Sequence, residues 1–534
     1  MTETMIPSSE ARLGWRSYLV LFLTGLIVSL VLVALEPVPG YMDADYYYSG
    51  SMRLAQGHGF TEAIVWNYLD HPQGLPHSSH SYWYPLASIL GAGGMLLTGK
   101  SDFLSARIGF LLIASLAPLV IAALTFRLTR NRSTALTAGF LGVFSGFYLP
   151  FIVTTDNYGV YILVGAVYFL LLDRFSIPKS ILLGLLAGLL NLARGDGLLW
   201  LPLTFLGASI LAYRQAHGRP AWTRLLLAGS GILLAFLGYL AVMGAWLVRN
   251  LTVFGSLLPP GSNYVLWMTN YNQLYSFTPQ IYTFQAWSAQ GWAAILKTRL
   301  WALGQNLGTG LAAEGMIVLV PFILLGAWKY RNSFPVRLAG FGWLALLFAE
   351  SFLFPFASVN GGFFHAGAAF QPLGFALAAA GLDVLAARWN RQGRRRGPAP
   401  VLFQASLILV MLAFSGMLVK MRVIDSGWNE GEYLYRKADV FLVGQGAQAA
   451  DVVMTRNPPA YYIMTGRQAI AIPFGDVPSL LAAARKFDAR YVLLEPAGLS
   501  KAEMDLYNHP ENYPDFATLG ALDDNHILLI KPAP

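Results

Sequence analysis

The chain has 534 residues, of which 55% are hydrophobic and only 12% carry a charge. Soluble domains contain roughly 25% charged residues, so this composition excludes an ordinary soluble protein. The formal net charge is +8, but the basic residues lie in short segments beside apolar runs, which is typical of membrane proteins and does not indicate nucleic-acid binding. Because the sequence has no cysteine, disulfides and thiolate metal sites are excluded.

Long apolar runs predict a polytopic α-helical membrane protein. A helix needs about 20 apolar residues to cross a bilayer. The first run, residues 18–35, is longer than the apolar core of a secretory signal, so we expect a retained membrane helix. Hydropathy and flanking charge predict about 11 membrane-spanning helices. They lie near residues 17–35, 104–126, 133–153, 157–172, 180–194, 197–213, 225–248, 309–328, 336–355, 366–386 and 401–419.

The positions of arginine and lysine predict the orientation of these helices. Residues 86–97 are apolar but short and glycine-rich, which favours an interfacial or re-entrant helix over a span. With that assignment most basic residues fall on the side of the N-terminus, which the positive-inside rule places in the cytoplasm. The first loop, residues 36–103, and the chain beyond residue 420 would then face the outside of a plasma (inner) membrane.

The composition changes near residue 421, which predicts a second domain over residues 421–534 after a membrane domain over residues 1–420. Short apolar runs typical of buried strands here alternate with helical patterns. The runs cover residues 451–455, 468–472, 491–495 and 526–530. We therefore expect a small C-terminal α/β soluble domain. Since it has no glycine-rich phosphate loop, we assign it a scaffold or acceptor-contact role rather than catalysis.

Acidic residues at the predicted outer ends of the helices are the candidate catalytic residues. Asp43 and Asp45 directly follow the first span. Two carboxylates one residue apart can share a divalent metal ion, or one of them can act as a general base. Asp156 lies between two later spans, where a helix N-cap is the structural alternative. Ionisable residues at membrane depth are costly and usually functional, so all three are candidates.

Basic residues at the same predicted face suggest a phosphate-binding site. Arg194, Arg249 and His365 each lie at the outer end of a predicted span. Arginine can bind a lipid phosphate through a forked pair of hydrogen bonds, and contact of a long side chain with lipid headgroups is the structural alternative. The first loop also contains the residues that we expect to contact substrate. These are Glu62, Asn67, His80 and Tyr82.

Several short motifs carry a family resemblance. They are Met42-Asp43-Ala44-Asp45-Tyr46, Tyr82-Trp83-Tyr84-Pro85-Leu86, Thr154-Thr155-Asp156, Leu192-Ala193-Arg194-Gly195-Asp196-Gly197 and Trp246-Leu247-Val248-Arg249-Asn250. Their order and sidedness over residues 15–385 resemble the GT-C class of membrane glycosyltransferases, close to the bacterial relatives of protein O-mannosyltransferases and of the lipid A aminoarabinose transferase. The chain departs from the pattern in having Asp-Ala-Asp where many relatives have adjacent acids, which leaves open whether Asp43 or Asp45 is the base.

The resemblance implies a GT-C-like fold and a specific reaction. A sugar would move from a polyprenyl phosphate to an acceptor protein, lipid or glycan on the outer face, with inversion at the anomeric carbon. One of Asp43 and Asp45 would deprotonate the acceptor hydroxyl, and the other would position it or a metal ion. The resemblance also implies that Arg194, Arg249 and His365 stabilise the phosphate leaving group, which is an electrostatic task.

Two other functions fit an apolar chain of this kind. A transporter or flippase of lipid-linked sugars usually has paired halves and polar residues near the bilayer midplane, whereas this chain gathers its charged residues at one face. A non-catalytic membrane scaffold that presents the C-terminal domain would leave the acidic first loop without a role. The sequence therefore favours the transferase.

Overall fold

The computed structural model describes residues 13–278, 282–391 and 399–532. Its helices of eight residues or more are α1 (Trp15–Leu35), α2 (Met42–Ala55), α3 (Leu86–Thr98), α4 (Ile108–Thr129), α5 (Arg132–Phe144), α6 (Tyr158–Leu171), α7 (Ile177–Ala193), α8 (Trp200–Gln215), α9 (Ala221–Phe254), α10 (Trp292–Thr309), α11 (Val320–Lys329), α12 (Phe334–Leu353), α13 (Gln371–Arg391), α14 (Ala399–Val419), α15 (Trp428–Gly444), α16 (Pro458–Thr465), α17 (Val477–Lys486) and α18 (Lys501–Asn508). The strands are β1 (Thr61–Glu62), β2 (Ile64–Val65), β3 (His77–Ser78), β4 (Val452–Thr455), β5 (Ala469–Ala471), β6 (Ala489–Leu494), β7 (Phe516–Leu522) and β8 (Asn525–Ile530).

Seven helical segments within these described ranges are long and apolar enough to cross a membrane. They are Trp15–Leu35, Phe103–Thr129, Gly195–Gln215, Ala221–Phe254, Phe334–Leu353, Gln371–Trp389 and Pro400–Gly444. Shorter apolar helices are Leu86–Thr98, Tyr158–Leu171, Ile177–Ala193 and Val320–Lys329. The predicted polytopic α-helical membrane fold is therefore confirmed, whereas the count of about 11 spans stays a prediction.

Two of the predicted spans are interrupted. The span expected over residues 133–153 ends at Phe144, where Ser145 takes a left-handed conformation (φ 47°) and a 3₁₀ turn follows. The span expected over residues 309–328 instead contains a π-helical turn, Gly310–Glu314, and α11 begins only at Val320. Irregular backbone at membrane depth is tolerated where it is buried in protein or lines a cavity, and the first break leads directly to Asp156.

The first loop is folded into helices and short strands. Asp43 and Asp45 lie in the first turn of α2 and Arg53 in its last turn, an arrangement that complements the helix dipole. The short helix expected over residues 86–97 is present as α3, which ends at Gly99 in a left-handed conformation (φ 68°). At 13 residues α3 is too short to span a bilayer.

The C-terminal region forms the expected α/β fold with a strand that the sequence did not indicate. Its six-stranded sheet has the order β2-β5-β4-β6-β8-β7, parallel from β2 to β6 and antiparallel at β8 and β7. The edge strand β2 belongs to the first loop, and its Val65 is fully buried in the core of this sheet. The Tyr68 hydroxyl donates to the Ala471 carbonyl. The first loop and the C-terminal region therefore share one sheet, and a domain boundary at residue 421 stays a prediction.

Helix α15 provides a second attachment to the first loop. Trp428 Nε1 donates to the Val38 carbonyl at 3.2 Å, and Asn429 Nδ2 donates to the Leu35 carbonyl at 3.1 Å. Gly40 has φ 83° and lies directly against the indole, where an added Cβ would come within 1.9 Å of Trp428 Nε1. Only glycine fits this position, because both the conformation and the space exclude a side chain.

We expect Val65→Asp to separate the first loop from the C-terminal sheet. The change places an unpaired charge at a fully buried position, and such a change costs about 3–5 kcal/mol or forces the strand out. Limited proteolysis should then release the region after residue 444 faster than in the wild type, and thermal unfolding should begin at a lower temperature. His58→Asp, at an exposed position of the same loop, is the matched control. Equal protease resistance of both variants would show that β2 does not hold the sheet.

Candidate active site

Two carboxylates and an imidazole converge at one end of the spanning helices. Asp43 comes from α2, Asp156 from the turn before α6, and His365 from the short helix Phe363–Gly367 between α12 and α13. One ligand atom of each lies within 4.8 Å of the others. His365 Nε2 is 3.2 Å from Asp156 Oδ2 and 3.8 Å from Asp43 Oδ2. The structure therefore brings together three of the predicted site residues.

Local backbone features place Asp156 and His365. Asp156 Oδ1 accepts from the Asn157 amide at 2.6 Å, and Oδ2 accepts from the Tyr41 hydroxyl at 2.8 Å. Because α6 has no side-chain cap, Asp156 does not have the N-cap role that was the structural alternative. The chain before His365 kinks at Gly361 (φ 115°), and the Gly361 carbonyl lies 2.8 Å from His365 Nδ1.

The contacts of His365 determine what its other nitrogen can do. Its ring stacks on Tyr158 with centroids 4.0 Å apart, and the Tyr158 hydroxyl lies 3.1 Å from Nδ1. A proton on Nδ1 can be donated to the Gly361 carbonyl, so Nε2 is the nitrogen that faces the two carboxylates. Either a proton or a cation must then lie between Nε2 and the carboxylate oxygens, since a lone pair would repel them.

Burial and the charge of Asp156 raise the pKa of the Asp43 carboxyl to about 6. Although burial raises it, the charge of His365 and the hydrogen bonds from His365, Asn157 and Tyr41 hold the pKa of Asp156 below its usual value. The two carboxylates thus differ: Asp156 stays ionised, while Asp43 exchanges its proton near neutral pH. A pKa near the working pH is what an efficient general base requires.

The cluster opens into a cavity of about 390 Å³. Asp43 and His365 lie in its wall together with Arg194, Asp196 and Tyr82. Arg194 Nε donates to Asp196 Oδ2 at 2.8 Å, and Asp196 Oδ1 accepts from the Tyr161 hydroxyl at 2.9 Å. The ion pair engages Nε of the guanidinium, and Arg194 itself is part of the cavity wall. Aromatic residues complete the wall, among them Trp66 and Trp83, stacked with centroids 3.9 Å apart.

Asp45 lies outside this cluster. It is fully buried, and its Oδ2 accepts from Asn457 Nδ2 at 2.8 Å. Burial and the neighbouring Glu432 of α15 raise the pKa of Asp45 well above its usual value. Because alternate residues of a helix point in different directions, Asp43 and Asp45 do not form the predicted shared metal site. Asp43 is grouped with Asp156 and His365 instead.

Arg249, predicted to bind a donor phosphate, does not line the cavity. Its guanidinium lies over the rings of Trp246 and Phe254, each 4.7 Å from the centroid, and donates to the Ser79 carbonyl at 2.6 Å. It therefore holds the first loop against α9. The neighbouring His80 is also buried away from the cavity, where burial and the charge of Arg249 lower its pKa to about 3.

Among the predicted substrate contacts, only Tyr82 lines the cavity. Glu62 lies 3.1 Å from His77 Nε2 in a buried ion pair, and Asp70 lies 3.4 Å from His77 Nδ1. The buried Asn67 accepts from the Leu69 amide at 3.0 Å. These groups contact one another within the first loop rather than the cavity. The sequence shows only that the loop is polar, so it does not distinguish such groups from residues that face a substrate.

The cavity wall also contains Glu350, Tyr271 and Tyr275, which the sequence analysis did not single out. Glu350 is buried near the end of α12. A carboxylate within an apolar span is itself a functional signal, and that signal could have identified Glu350. The tyrosines lie in a segment without a periodic pattern between α9 and α10, so only the folded structure shows their place.

Comparison with known proteins gives the fold. No protein-family model matches the chain, and no curated protein matches it. Among solved structures, ArnT from Cupriavidus metallidurans bound to undecaprenyl phosphate is 14% identical, with a TM-score of 0.58 over 97% of this chain and 98% of that chain. The apo state of the same protein has a TM-score of 0.53 at 14% identity over 96% and 98%.

The archaeal oligosaccharyltransferase AglB from Archaeoglobus fulgidus, in complex with an inhibitory peptide and a dolichol-phosphate, is 15% identical, over 89% of this chain and 69% of that chain. Its TM-score of 0.49 is too low for assigning a fold. The similarity to ArnT covers nearly all of both chains, so this chain has the fold of ArnT. The GT-C-like fold predicted from the sequence is confirmed.

We expect the first loop to lose stability as the pH rises from about 6.5 to about 9. Although burial lowers it, Glu62 and Asp70 raise the pKa of His77 to about 9. A raised histidine pKa stabilises the fold fully below the unfolded pKa, and this stabilisation is lost as the pH rises through the folded pKa. The thermal unfolding temperature of the wild type should therefore fall more steeply over this range than that of His77→Gln. Parallel pH profiles would show that the ion pair adds no stability.

Proposed function

We propose that this protein is a membrane glycosyltransferase that moves a sugar from a polyprenyl phosphate to an acceptor. The observation that carries the proposal is a cavity at one end of the spanning helices whose wall contains Asp43, His365 and the Arg194–Asp196 pair. The ArnT fold supports it, because that structure was solved with undecaprenyl phosphate bound. The cavity joins a base, a cationic group and an apolar aromatic wall, which suit an acceptor hydroxyl, a phosphate and a sugar with its lipid.

In this reaction Asp43 is the general base. Its carboxylate faces the cavity and takes the proton of the acceptor hydroxyl as that oxygen attacks the anomeric carbon. The bond from that carbon to the phosphate oxygen breaks on the opposite side, so the configuration inverts. Arg194 is placed to stabilise the negative charge that develops on the departing polyprenyl phosphate, while Asp196 and Tyr161 hold its guanidinium in position.

Asp156 and His365, together with one carboxylate oxygen of Asp43, form a donor set that fits a divalent metal ion, and the second oxygen of Asp43 remains for the acceptor proton. Two carboxylates and one imidazole whose ligand atoms lie within 4.8 Å of one another match the oxygen and nitrogen ligands that such ions prefer. A bound cation would neutralise the carboxylates and act as a Lewis acid at the site. The Gly361 carbonyl, which accepts from His365 Nδ1, would fix the tautomer that leaves Nε2 free as a ligand.

The cavity end of the helices is proposed to face the outside of the plasma membrane, with the N-terminus in the cytoplasm, by the positive-inside rule. The acceptor is a protein, a lipid or a glycan, and either a hexose or a pentose fits a cavity of about 390 Å³. A transporter of lipid-linked sugars is not favoured, because the charged cavity residues gather at one end of the bundle rather than at the midplane.

Asp43→Asn and Asp45→Asn form a matched pair that tests the base. We expect Asp43→Asn to lower the transfer rate by about 10²–10⁴-fold, since the amide cannot accept a proton. Asp45→Asn should stay within about threefold, because Asp45 lies outside the cavity wall in a site where its neutral form is favoured. The measurement is mass-spectrometric detection of product from purified protein given a panel of polyprenyl-phosphate sugars. Wild-type kcat/KM should fall as the pH drops below about 6, where Asp43 becomes protonated.

Two results would contradict these assignments. A loss in Asp45→Asn as large as in Asp43→Asn would show that the buried pair with Glu432, rather than the cavity-facing carboxylate, controls catalysis. If the folded wild-type protein forms no product with any of the polyprenyl-phosphate sugars, the proposed donor class is wrong. A topology reporter fused after Pro534 that works only in the cytoplasm would refute the orientation without affecting the chemistry.

Metal binding is expected to depend on the three clustered residues. Titration with Mn²⁺, followed by electron paramagnetic resonance, should show one site in the wild type. His365→Ala and Asp156→Asn should each weaken binding by at least about tenfold, because each removes one of three ligands. His58→Ala, at an exposed position of the first loop, is the control. Unchanged binding in all variants would place the Mn²⁺ elsewhere, independently of transfer activity.

A further inference from the structure

A second recess lies at the opposite ends of the helices from the catalytic cavity. It has a volume of about 580 Å³ and opens between the last turns of α8 and the first turns of α9. We call it the basic recess. It is lined by Ser209, Ile210, Tyr213, Arg214, His217, Arg224 and Ala228. Two arginines and a histidine line it, and none of the lining residues is Asp or Glu, so its positive charge is not compensated from within.

The surroundings of Arg224 favour the binding of an anion. Its guanidinium carbon lies over the Tyr213 ring, 3.8 Å from the centroid. Its Nε is buried and has no hydrogen-bond partner among the described residues. Stacking of this kind covers the face of the guanidinium and leaves the N–H groups at its edge to bind a carboxylate or phosphate in forked fashion. An uncompensated buried donor is costly, and an anion in the recess would remove that cost.

Arg214 supplies a second cation from the facing helix. Its guanidinium lies 5.1 Å above the ring of Phe334, the first residue of α12. Arg214 lies one residue from the end of α8, and Arg224 lies in the first turn of α9. The two arginines therefore approach the recess from both helices at the level where two candidate spans end. That level is where phospholipid headgroups lie.

The surface beside the recess is apolar and faces outward. Trp222 and Leu225 on α9 are each 65% exposed, and Leu226 is 63% exposed. On a helix long and apolar enough to span a membrane, such exposed residues contact acyl chains rather than water. A ligand with a phosphate and two hydrocarbon chains could place its phosphate beside the arginines of the basic recess and its chains along this apolar surface.

We propose that the basic recess binds the phosphate of an anionic diacyl phospholipid. Arg224 and Arg214 contact the phosphate, and its acyl chains pack along the exposed face of α9. The site is separate from the proposed transfer reaction, because it lies at the other end of the helices and shares no lining residue with the catalytic cavity. Basic pockets between membrane helices bind anionic headgroups in this way.

The test uses the full-length protein in vesicles of phosphatidylcholine with about 5 mol% of spin-labelled phosphatidylglycerol as the trace probe. The fraction of motionally restricted label gives the preference for phosphatidylglycerol over labelled phosphatidylcholine. We expect the wild type to prefer phosphatidylglycerol, and the double variant R214Q/R224Q to lose that preference by about tenfold to thirtyfold, since each arginine near the surface is worth roughly a fivefold change. The control is R219Q. Arg219 is exposed in the loop between α8 and α9 and does not line the recess.

Three outcomes decide between alternatives. An equal loss in R219Q would overturn the proposal, because diffuse attraction to basic loops would then explain the preference. Displacement of the label by millimolar inorganic phosphate would also overturn it, since the ligand would then be a free anion. The variant R214K/R224K, which keeps the charge, should retain more of the preference than R214Q/R224Q in protein with an unchanged thermal unfolding temperature. An unchanged preference in R214Q/R224Q, in folded protein, would also overturn the proposal, because the recess would then contribute nothing to lipid binding.

Discussion

The negative charge that Asp43 and Asp156 bring to one buried place is the constraint on which the site depends. Two carboxylates so close together, with water largely excluded, repel each other and favour protonation of one of them. His365 Nε2 lies 3.2 Å from one and 3.8 Å from the other, so a single positive charge at that point compensates both. A proton, the proposed metal ion and the proposed acceptor hydroxyl would all compete for this small volume, and the chemistry of the cavity would follow from which of them occupies it.

The helix that presents Asp43 is held from its opposite side. There the buried Asp45 binds Asn457 at 2.8 Å and interacts with Glu432. Glu432 also accepts from the Gly40 amide just before the helix. Because α2 is rigid, fixing Asp45 fixes the direction of Asp43. The C-terminal region, which supplies both Glu432 and Asn457, is thus part of the structure that positions Asp43, the proposed base, although it lines none of the cavity.

The sequence could predict which end of the helices holds the site, but not how the residues pair. Charged residues next to apolar runs are easy to recognise in a sequence, and this feature identifies Asp43, Asp156 and His365 as candidates. Asp156 and His365 are 209 positions apart in the sequence, so their contact depends on tertiary packing, which no local pattern records. Asp45 is distinguished from Asp43 by its tertiary partners, Asn457 and Glu432 in the C-terminal region, which a sequence pattern does not show. Strand β2, with two residues, is shorter than any period that a sequence pattern can establish.

Charged side chains are paired differently at the two ends of the membrane helices. At the cavity end, Arg194 is paired with Asp196, and Asp156 and His365 are buried beside Asp43. Arg249 at that end is stacked on aromatic rings and holds the first loop.

At the other end, Asp173 is paired with Arg127 and Lys179, while the arginines of the basic recess lack an acidic partner in its lining. Uncompensated positive charge is therefore left where anionic headgroups can neutralise it, and negative charge is kept where a proton or a cation is needed for chemistry. The charge asymmetry from which the membrane orientation is predicted thus also separates the candidate active site from the proposed lipid-binding site.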